Sequence, residues 1–401
     1  MSGVDSNLIA ELRQRADSVT DIPVRFKVDE ETYDFGNGEP KATLVLNETN
    51  FLKLIREEVD PTHLFMTGAL TIDGDMTAAI AFGEAFQSKD SAAPEQPVEE
   101  PGEENDVIAY LDNVGLIVLS LEETHQRYTD LGFNLADRGT HYYEKPAGVF
   151  TKWGTANHCA NFRDGGLLEF IAHYYPEHPA GLYGQQLEKY GNHWGKITIH
   201  STSNDAETDR LRRQGHGAVE SNFLYRYTDG KTFDPDPSQS KRTSLFSYPT
   251  SFQDTVMMVG AEHTLGEWPI QEEHFNHPNG AQRIGYALIV SKDPEAAAVR
   301  YGRALSIKAT PFDGGWRVHL GRNSYLVFAA PETLPQEVAR QLAGRDVAML
   351  GTGIQVRDLG ETKEFLTARN IPAIEHSLGL VTPEPVKGSG AIFFTSDYPG
   401  A

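Results

Sequence analysis

Residues 1–86 alternate apolar and polar positions in the manner of a small mixed α/β domain. Val24, Phe26 and Val28 are separated by charged residues. This spacing predicts a half-buried strand, because successive side chains of a strand face opposite sides. The segment KATLVLN predicts a second, more apolar strand. Apolar residues at helical spacing predict one helix before these strands and another, through Phe51, after them.

After residue 106 the pattern of the chain repeats four times. Each unit opens with an apolar strand, continues into a helix with capping signals, and ends with further strands. The four opening strands are YLDNVGLIVLS, KITIHST, YALIVSK and GTGIQVRD. In the first unit Ser120 and Glu123 predict a capping box, and Gly132 is suited to a left-handed cap. Further helices are predicted to close at Gly215 in the second unit and at Asn370 in the fourth, and to begin at Asp293-Pro294 in the third. The repeats therefore predict four β-α-β-β-β modules.

The segment between these regions, residues 87–106, contains seven Asp or Glu and three Pro residues and has no aromatic residue. Such a composition cannot bury enough apolar surface to fold, so it predicts an extended acidic linker. We therefore divide the chain into a small domain at 1–86, the linker at 87–106, modules one and two at 107–270, and modules three and four at 271–401.

Composition narrows the choice of partners. The chain of 401 residues has 57 acidic and 35 basic residues, a formal net charge of −22. This balance disfavours nucleic acids and anionic membranes, which require clustered Lys and Arg. A single cysteine, Cys159, excludes an intrachain disulfide. No apolar run approaches the length of a membrane span and the start lacks the core of a signal peptide. We expect a cytoplasmic protein without stable membrane insertion, and its oligomeric state stays open.

The segment FLKLIREEVDPTHLFMTGALTIDGDMTAAIAF resembles the sterol carrier protein type 2 family. The family pattern G-x-(L/I)-x-(I/V)-x-G-D is matched by Gly68, Leu70, Ile72, Gly74 and Asp75. The resemblance implies a helix-covered sheet around an apolar tunnel for lipid-like ligands. The first strands match the family poorly, which leaves open a scaffold without that tunnel.

The four modules, and the segment WGTANHCANFRDGGLLEFIA in particular, resemble the vicinal oxygen chelate superfamily, which includes glyoxalases and extradiol dioxygenases. The glyoxalase-like positions of this segment are Gly154, Thr155, Asn157, Asp164, Gly165 and Glu169. Paired modules of the superfamily curl into open barrels. The implied fold class is α+β: a small sterol carrier-like α/β sandwich, then four βαβββ modules that form two glyoxalase-like open barrels.

The resemblance also implies where a metal would bind. Family ligands are His, Gln and Glu on the first and last strands of paired modules. The four first-strand positions fall on Asn113, Lys196, Tyr286 and Gly351. None is a histidine, and the Lys196 ammonium would repel a cation. We therefore predict no catalytic metal. If a divalent ion (Fe, Zn or Mn) is bound, a rebuilt site of His158, Glu169 and His200 would hold it.

Without a metal, a barrel interior can work by acid and base. His158, Glu169 and His200 are the candidate catalytic residues, because His titrates near neutral pH and burial would raise the pKa of Glu169. The candidate ligand-binding residues are Asn113 and Asn157 for a carbonyl oxygen, Tyr286 as a phenolic donor and Trp268 as a cover for the ligand mouth. Each also has an ordinary role as a satisfied polar residue of a half-buried sheet.

A second histidine cluster contains His263, His274 and His277. His274-x-x-His277 would suit zinc on a helix. Pro278 and the turn signal Asn279-Gly280 instead predict a loop that joins the two barrels.

Three functions remain open for a chain of this kind. The first is a metal-independent lyase, isomerase or cyclase of an apolar carbonyl compound. The second is a binding protein that sequesters a hydrophobic metabolite or drug. The third is a ring-cleaving Fe(II) dioxygenase with displaced ligands. In each case the carrier-like domain predicts a hydrophobic small-molecule ligand.

Overall fold

The structure of the protein is a computed structural model. It describes residues 22–55, 69–75, 108–144, 150–178, 180–203, 222–227, 241–247, 256–259 and 271–396, together with positions 9, 12, 13, 64, 78, 79, 82, 206, 207 and 210. The chain divides into two compact units, one of residues 1–100 with 215–220 and one of residues 101–214 with 221–401. Within the described residues, no helix has the length and apolar character needed to cross a bilayer.

The first unit contains a four-stranded sheet in the order β2-β1-β3-β4. Its elements are β1 (Val24–Val28), β2 (Glu31–Phe35), β3 (Ala42–Leu46), α1 (Glu48–Ile55) and β4 (Leu70–Gly74). The alternation predicted for β1 is confirmed, because Val24, Phe26 and Val28 are buried and Lys27 is exposed. Phe26 packs against three aromatic rings, those of Phe35, Phe51 and Phe82, with centroid distances of 5.3, 5.4 and 6.0 Å.

The glycine and aspartate of the first unit's motif have separate structural roles. Gly74 ends β4 with a φ of +94°, and a Cβ atom there would lie 2.7 Å from the Lys41 carbonyl oxygen. Only glycine fits both that conformation and that approach. The Asp75 carboxylate accepts a hydrogen bond from the Ala78 amide at 3.2 Å, as a helix-capping residue does.

The second unit contains the four modules. Module one comprises β5 (Ile108–Val118), α2 (Leu121–Asp130), β6 (Gly139–Glu144), β7 (Phe150–Asn161) and β8 (Leu167–His173). Helix α3 (Gly181–Tyr190) follows it. The described strands of module two are β9 (His193–Ser201), β10 (Asn222–Tyr227), β11 (Lys241–Ser247) and β12 (Val256–Val259).

Modules three and four follow a short 3-10 helix, Glu272–Phe275. Module three comprises β13 (Ala281–Ser291), α4 (Pro294–Leu305), β14 (Ala309–Phe312), β15 (Gly315–His319) and β16 (Tyr325–Ala329). Three short helical segments connect it to module four: Pro331–Thr333, α5 (Gln336–Ala339) and Arg340–Leu342. Module four comprises β17 (Val347–Val356), α6 (Leu359–Ala368), β18 (Ile374–His376), β19 (Gly379–Pro383) and β20 (Ala391–Thr395).

The predicted helix caps are present wherever the structure describes them. The Ser120 hydroxyl accepts from the Glu123 amide at 3.1 Å, and Gly132 beyond the end of α2 has a φ of +88°. Asp293 accepts from the Ala296 amide at 3.0 Å at the start of α4. Asn370, after α6, has a φ of +56°. Gly215, the predicted cap in module two, lies outside the described residues.

Strand pairing joins module one to module two and module three to module four. The first pair forms a closed barrel in the order β10-β11-β12-β9-β5-β8-β7-β6, and the second an eight-stranded sheet in the order β14-β15-β16-β13-β17-β20-β19-β18. The predicted fold class is confirmed. One detail differs from the implied pair of open barrels, because backbone pairing of β10 with β6 closes the first sheet. We call it the module 1–2 barrel.

Candidate functional site

The segment that joins β7 to β8 forms a tight hairpin. Gly165 has a φ of +95°, and the Gly166 amide donates to the Asp164 side chain at 3.1 Å, which forms the tight turn. The register of the hairpin places Cys159 opposite Glu169 and places His158 opposite Phe170. Because opposed residues of paired strands share a face, His158 and Glu169 lie on opposite faces of the sheet.

His158 lies on the face that packs against α2. Its Nδ1 atom is 2.9 Å from the Ala136 carbonyl oxygen, and its ring contacts the His125 ring edge-on at 4.7 Å. The neighbouring Phe170 packs on Tyr128 of α2 at 4.2 Å. The predicted grouping of His158 with Glu169, whether for proton transfer or for a metal, is therefore wrong in its geometry. Cys159, the next residue along the strand, takes the position opposite Glu169 that the grouping required of His158.

Glu169 instead forms a buried ion pair with Lys196. The Lys196 ammonium donates to Glu169 Oε2, and both side chains are less than a tenth exposed. Gly115 lies between them, opposite Glu169 on β8 and opposite Lys196 on β9. A Cβ atom at Gly115 would lie 2.8 Å from the Lys196 Cβ and 3.1 Å from its Cδ. The missing side chain of Gly115 thus gives Lys196 room to cross the central strand and reach Glu169.

The charge of Lys196 is held by its partner. Burial opposes the charged form, but the Glu169 carboxylate and its hydrogen bond outweigh that effect and raise the pKa of Lys196 above its ordinary value. Lys196 is therefore an ammonium at neutral pH. Among the described residues, Glu169 is its hydrogen-bond acceptor, which leaves two N–H groups of a buried ammonium without a protein acceptor there.

A network on β6 and β7 holds the other oxygen of Glu169. The Asn157 amide nitrogen donates to Glu169 Oε1 and lies 2.9 Å from His141 Nε2. His141 Nδ1 lies 2.7 Å from the Thr155 hydroxyl. Since the Asn157 nitrogen only donates, His141 accepts at Nε2 and carries its proton on Nδ1. Thr155 and Asn157 of the G-T-x-N motif thus orient His141 and Glu169.

Helix α3 contacts β5, β8 and β9, the three strands that carry the ion pair. Tyr183 of this helix is buried and lies close enough to Lys196 and Glu169 to interact with both charges. Burial raises the pKa of Tyr183 to about 12, and the nearby ammonium partly offsets that rise. Tyr183 therefore adds a protonated phenol to the site.

His200 lies further along β9 than Lys196, by roughly 13 Å at the usual rise of a strand. Its ring stacks on Tyr110 with a centroid distance of 4.6 Å. Arg322, from the turn between β15 and β16, lies over the same tyrosine ring at 4.1 Å. His200 therefore lies at a different level of the barrel from Lys196, the partner of Glu169. The predicted three-residue grouping is thus spread over two faces and two levels of the barrel.

Asn113 and Asn157 both lie inside the barrel, but their free atoms differ from those expected. The Asn113 amide nitrogen donates to Asp112 Oδ2 at 3.3 Å, and the Asn157 nitrogen donates to Glu169 and to His141. Within the described part of the chain, the Oδ1 atom of each has no hydrogen-bond partner. Both N–H groups of Asn157 are engaged, and an amide oxygen cannot hold a carbonyl oxygen, so the predicted role in orienting a carbonyl is wrong for Asn157. For Asn113, whose amide nitrogen makes one hydrogen bond among the described residues, that role stays a prediction.

Tyr286 is a core residue of the second sheet. Its hydroxyl donates to the Leu378 carbonyl oxygen at 2.8 Å, and the side chain is fully buried among apolar residues. Burial raises its pKa well above the ordinary value. The predicted role as a phenolic donor to a ligand is wrong, because the proton is already engaged by the backbone. Trp268 and His263 lie outside the described residues.

His277 has a structural role. Its Nδ1 accepts from the Asn134 amide at 3.1 Å, and its Nε2 lies 3.0 Å from the Asn161 carbonyl oxygen. Burial lowers the pKa of His277 to about 4. Both ring nitrogens are thus occupied by the backbone of module one. His274 Nδ1 accepts from the Gln271 amide at 3.2 Å, so the two histidines cap and anchor the segment that joins the two halves.

The donor set of the barrel does not fit the metal that the superfamily resemblance implies. Glu169, the carboxylate at a family ligand position, is bonded to an ammonium at another such position. A cation beside Lys196 would be repelled, and the lysine offers no lone pair while it is charged. Across the described residues, no group of three His, Cys, Asp or Glu side chains is close enough to share a metal ion.

The sequence did not assign a role in the site to three residues, Lys196, His141 and Tyr183. The role of Lys196 as the partner of Glu169 depends on Gly115 at one register position. His141 comes from a strand with no motif, so no spacing signals it. Tyr183 comes from α3, which precedes module two outside the repeated pattern. The G-T-x-N motif was the available signal, since it marks the residues that bind His141 and Glu169.

Two family profiles match the chain. The profile described as SCP-2 sterol transfer family matches residues 11–87, and the profile described as Glyoxalase-like domain matches residues 111–305. The latter covers modules one and two and the start of module three. No curated protein matches the chain.

Solved structures are similar at low identity. A mutant of 4-hydroxymandelate synthase from Streptomyces coelicolor has a TM-score of 0.44 and 11% identity over 72% of this chain and 92% of its own. A hypothetical protein from Staphylococcus aureus gives 0.44 and 11% over 71% and 98%. A xylose isomerase-like TIM barrel/4-hydroxyphenylpyruvate dioxygenase fusion protein gives 0.41 and 10%, and this chain covers 45% of it. These likenesses carry no argument about chemistry.

Proposed function

We propose that this chain, which joins an SCP-2 sterol transfer domain to a glyoxalase-like domain, is a metal-independent enzyme that transfers protons on a hydrophobic carbonyl compound bound in the module 1–2 barrel. The observation that carries the proposal is the buried Lys196 ammonium, which contacts Glu169 and, among the described residues, has two further N–H groups available to a ligand. A neutral carbonyl oxygen can accept a hydrogen bond from this ammonium without displacing the Glu169 carboxylate from it.

The chemistry follows from this pair. A carbonyl oxygen bound by Lys196 makes the C–H bonds on the neighbouring carbon more acidic, because the ammonium stabilises the enolate oxygen that forms. The C–H bond breaks, its proton goes to the Glu169 carboxylate, and its electron pair moves toward the carbonyl oxygen. Return of the proton to another carbon gives an isomerisation. Loss of a leaving group from the β-carbon gives a lyase reaction.

The remaining residues of the network hold the base in place. The Asn157 amide fixes one oxygen of Glu169, and Asn157 is itself bonded to His141. The SCP-2 domain supports a hydrophobic substrate, and the −22 charge of the chain supports an uncharged one. We place the substrate's apolar body in the barrel and its carbonyl at Lys196.

Deuterium exchange tests this function without a known substrate. Diacetone alcohol and methyl isobutyl ketone are incubated with the protein in D2O, and NMR follows exchange of the protons beside the carbonyl. We expect the wild type to accelerate exchange, and Glu169→Gln and Lys196→Met each to lose about a hundredfold of that rate. Glu375→Gln, which removes the carboxylate of an exposed pair with Lys363, is the matched control and retains the rate.

Two results would contradict the proposal. Exchange that persists in Glu169→Gln would remove the base assigned here. A near-stoichiometric metal in the purified wild type that is lost in Glu169→Gln would show that the carboxylate serves as a metal ligand.

A binding protein that sequesters a hydrophobic compound is the second candidate. One observation favours it: both oxygens of Glu169 already accept hydrogen bonds from the protein. Saturable binding of the same ketones without any accelerated exchange would select this function. We do not carry forward the ring-cleaving dioxygenase, because its metal does not fit the Lys196–Glu169 pair.

A further inference from the structure

Two polar side chains close to the ion pair have an atom that no described residue satisfies. They are Asn113, which is 7% exposed, and Thr198, which is fully buried. Asn113 Oδ1 and Thr198 Oγ1 have no hydrogen-bond partner among the described residues. Buried polar atoms are nearly always paired in proteins, so two such atoms side by side point to a missing partner.

The two atoms belong to the same face of the barrel as the ion pair. Asn113 lies opposite Thr198, and two residues further along the strands Gly115 lies opposite Lys196. Residues two apart on a strand share a face, so Asn113 and Thr198 form the adjacent level, about 7 Å along the strands. Asn157, whose Oδ1 is also unpartnered among described residues, borders the same interior from β7.

The unsatisfied atoms are chemically complementary to Lys196. Among the described residues the Lys196 ammonium has two N–H groups without an acceptor, whereas the two asparagine oxygens can only accept and the Thr198 hydroxyl can do either. A simple ketone or ester would satisfy the ammonium and leave these acceptors unpaired in a buried site. A ligand with a donor a few bonds from its carbonyl would satisfy both levels.

We infer that the barrel's ligand carries an O–H or N–H donor a few bonds from its carbonyl oxygen, with the carbonyl at Lys196 and the donor at Asn113 and Thr198. This inference rests on the proposed function and names its substrate class: apolar hydroxy-ketones and their amide counterparts. It makes Asn113 and Thr198 specificity-determining residues, because a site built to bind a hydroxyl rejects the analogue that lacks it.

A matched series of ligands tests the inference on the full-length wild type. NMR titration measures the Kd of diacetone alcohol, of its methyl ether, which keeps the carbonyl and loses the donor, and of methyl isobutyl ketone, which lacks the second oxygen. We expect diacetone alcohol to bind about tenfold more tightly than either analogue. In Asn113→Leu and Thr198→Val this preference falls toward one, while methyl isobutyl ketone binds as before.

The control variant is Thr382→Val. Thr382 Oγ1 is likewise buried and unpartnered among described residues, but it lies on β19 of the second sheet, so the ligand preference should not change. Melting curves check that each variant folds. If a variant does not fold, the affinities of the three ligands for the wild type test the inference without it. Equal affinities across the series would overturn this inference and leave the proposed function standing. Absence of saturable binding by all three ligands would overturn both.

Discussion

The module 1–2 barrel and the sheet of modules three and four have the same strand order around different interiors. In both, the first strands of the two modules lie at the centre and pair antiparallel. The barrel places charged and amide side chains there, Glu169, Lys196 and Asn157 among them. The second sheet fills the same region with apolar side chains and two tyrosines, Tyr286 and Tyr325. One arrangement of backbone thus supports a polar site in one half and an ordinary core in the other.

A glycine opposite a long side chain marks the centre of each half. Gly115 makes room for Lys196, and Gly353 makes room for Tyr286, whose Cε1 would lie 2.0 Å from a Cβ added at that glycine. The long side chain ends on a carboxylate in the barrel and on the Leu378 carbonyl oxygen in the sheet. The apolar interior of the second sheet is what selection for stability alone would give, and the interior of the barrel is not. The barrel keeps buried charges, which are costly, and we assign it the function.

Lys196→Met should produce the largest effect on stability. Removal of one partner of a buried ion pair leaves the Glu169 carboxylate uncompensated, which costs about 3–5 kcal/mol of unfolding free energy. The double variant Lys196→Met, Glu169→Leu should recover most of that loss, because apolar replacement of both partners is often neutral. Urea unfolding of the single and double variants measures this. Equal losses in the two would show that the pair contributes by packing rather than by charge.

Leu288→Ala, in the core of the second sheet, should cost about 3 kcal/mol through the cavity it leaves. The comparison predicts that this loss of stability leaves ketone binding in the barrel unchanged at temperatures where the variant is folded. Lys196→Met should alter both. Urea unfolding and NMR titration on the same preparations separate the two effects. A weaker ligand affinity in Leu288→Ala would mean that the second sheet takes part in the site.

The fold was largely predictable from sequence, because it depends on local signals. Alternation in β1, the N-cap residue Ser120 and the left-handed residue Asn370 each specify an element without reference to the rest of the chain. The site was less predictable, because it depends on register. A shift of one residue in the β7–β8 hairpin decides whether His158 or Cys159 shares a face with Glu169.

The partner of Glu169 shows the same limit. Lys196 was identified as a residue that a metal would not tolerate, but its bond to Glu169 requires that Gly115 lie between them on the central strand. That fact belongs to the pairing of β5 with both β8 and β9, which no local pattern specifies. His141 was missed for the same reason, since it reaches Asn157 across β6 and β7.

Mild acid should destabilise the half that contains module one. The folded state holds His277 neutral with a pKa of about 4, against about 6.5 in the unfolded chain. Between these values the unfolded chain binds more protons, so stability falls as pH decreases from about 6.5 toward 4. At pH 5 His277 alone contributes an expected loss of about 2 kcal/mol, and His193 on β9, whose pKa burial also lowers to about 4, adds to that loss. Urea unfolding at pH 7 and pH 5 measures it, and His277→Gln, which can keep both hydrogen bonds, should reduce the dependence.

Tyr286→Phe should give the smallest effect and the sharpest test of the difference between the two halves. It removes one buried hydroxyl that donates to Leu378 and leaves the ring in place beside Gly353, so the expected cost is about 1 kcal/mol. Because the hydroxyl has a structural partner, ketone exchange and ligand preference should equal those of the wild type. A drop in exchange rate in Tyr286→Phe, at unchanged stability, would mean that the second sheet contains a site of its own. Both the barrel and the second sheet would then be active, and the second sheet would not be a structural core alone.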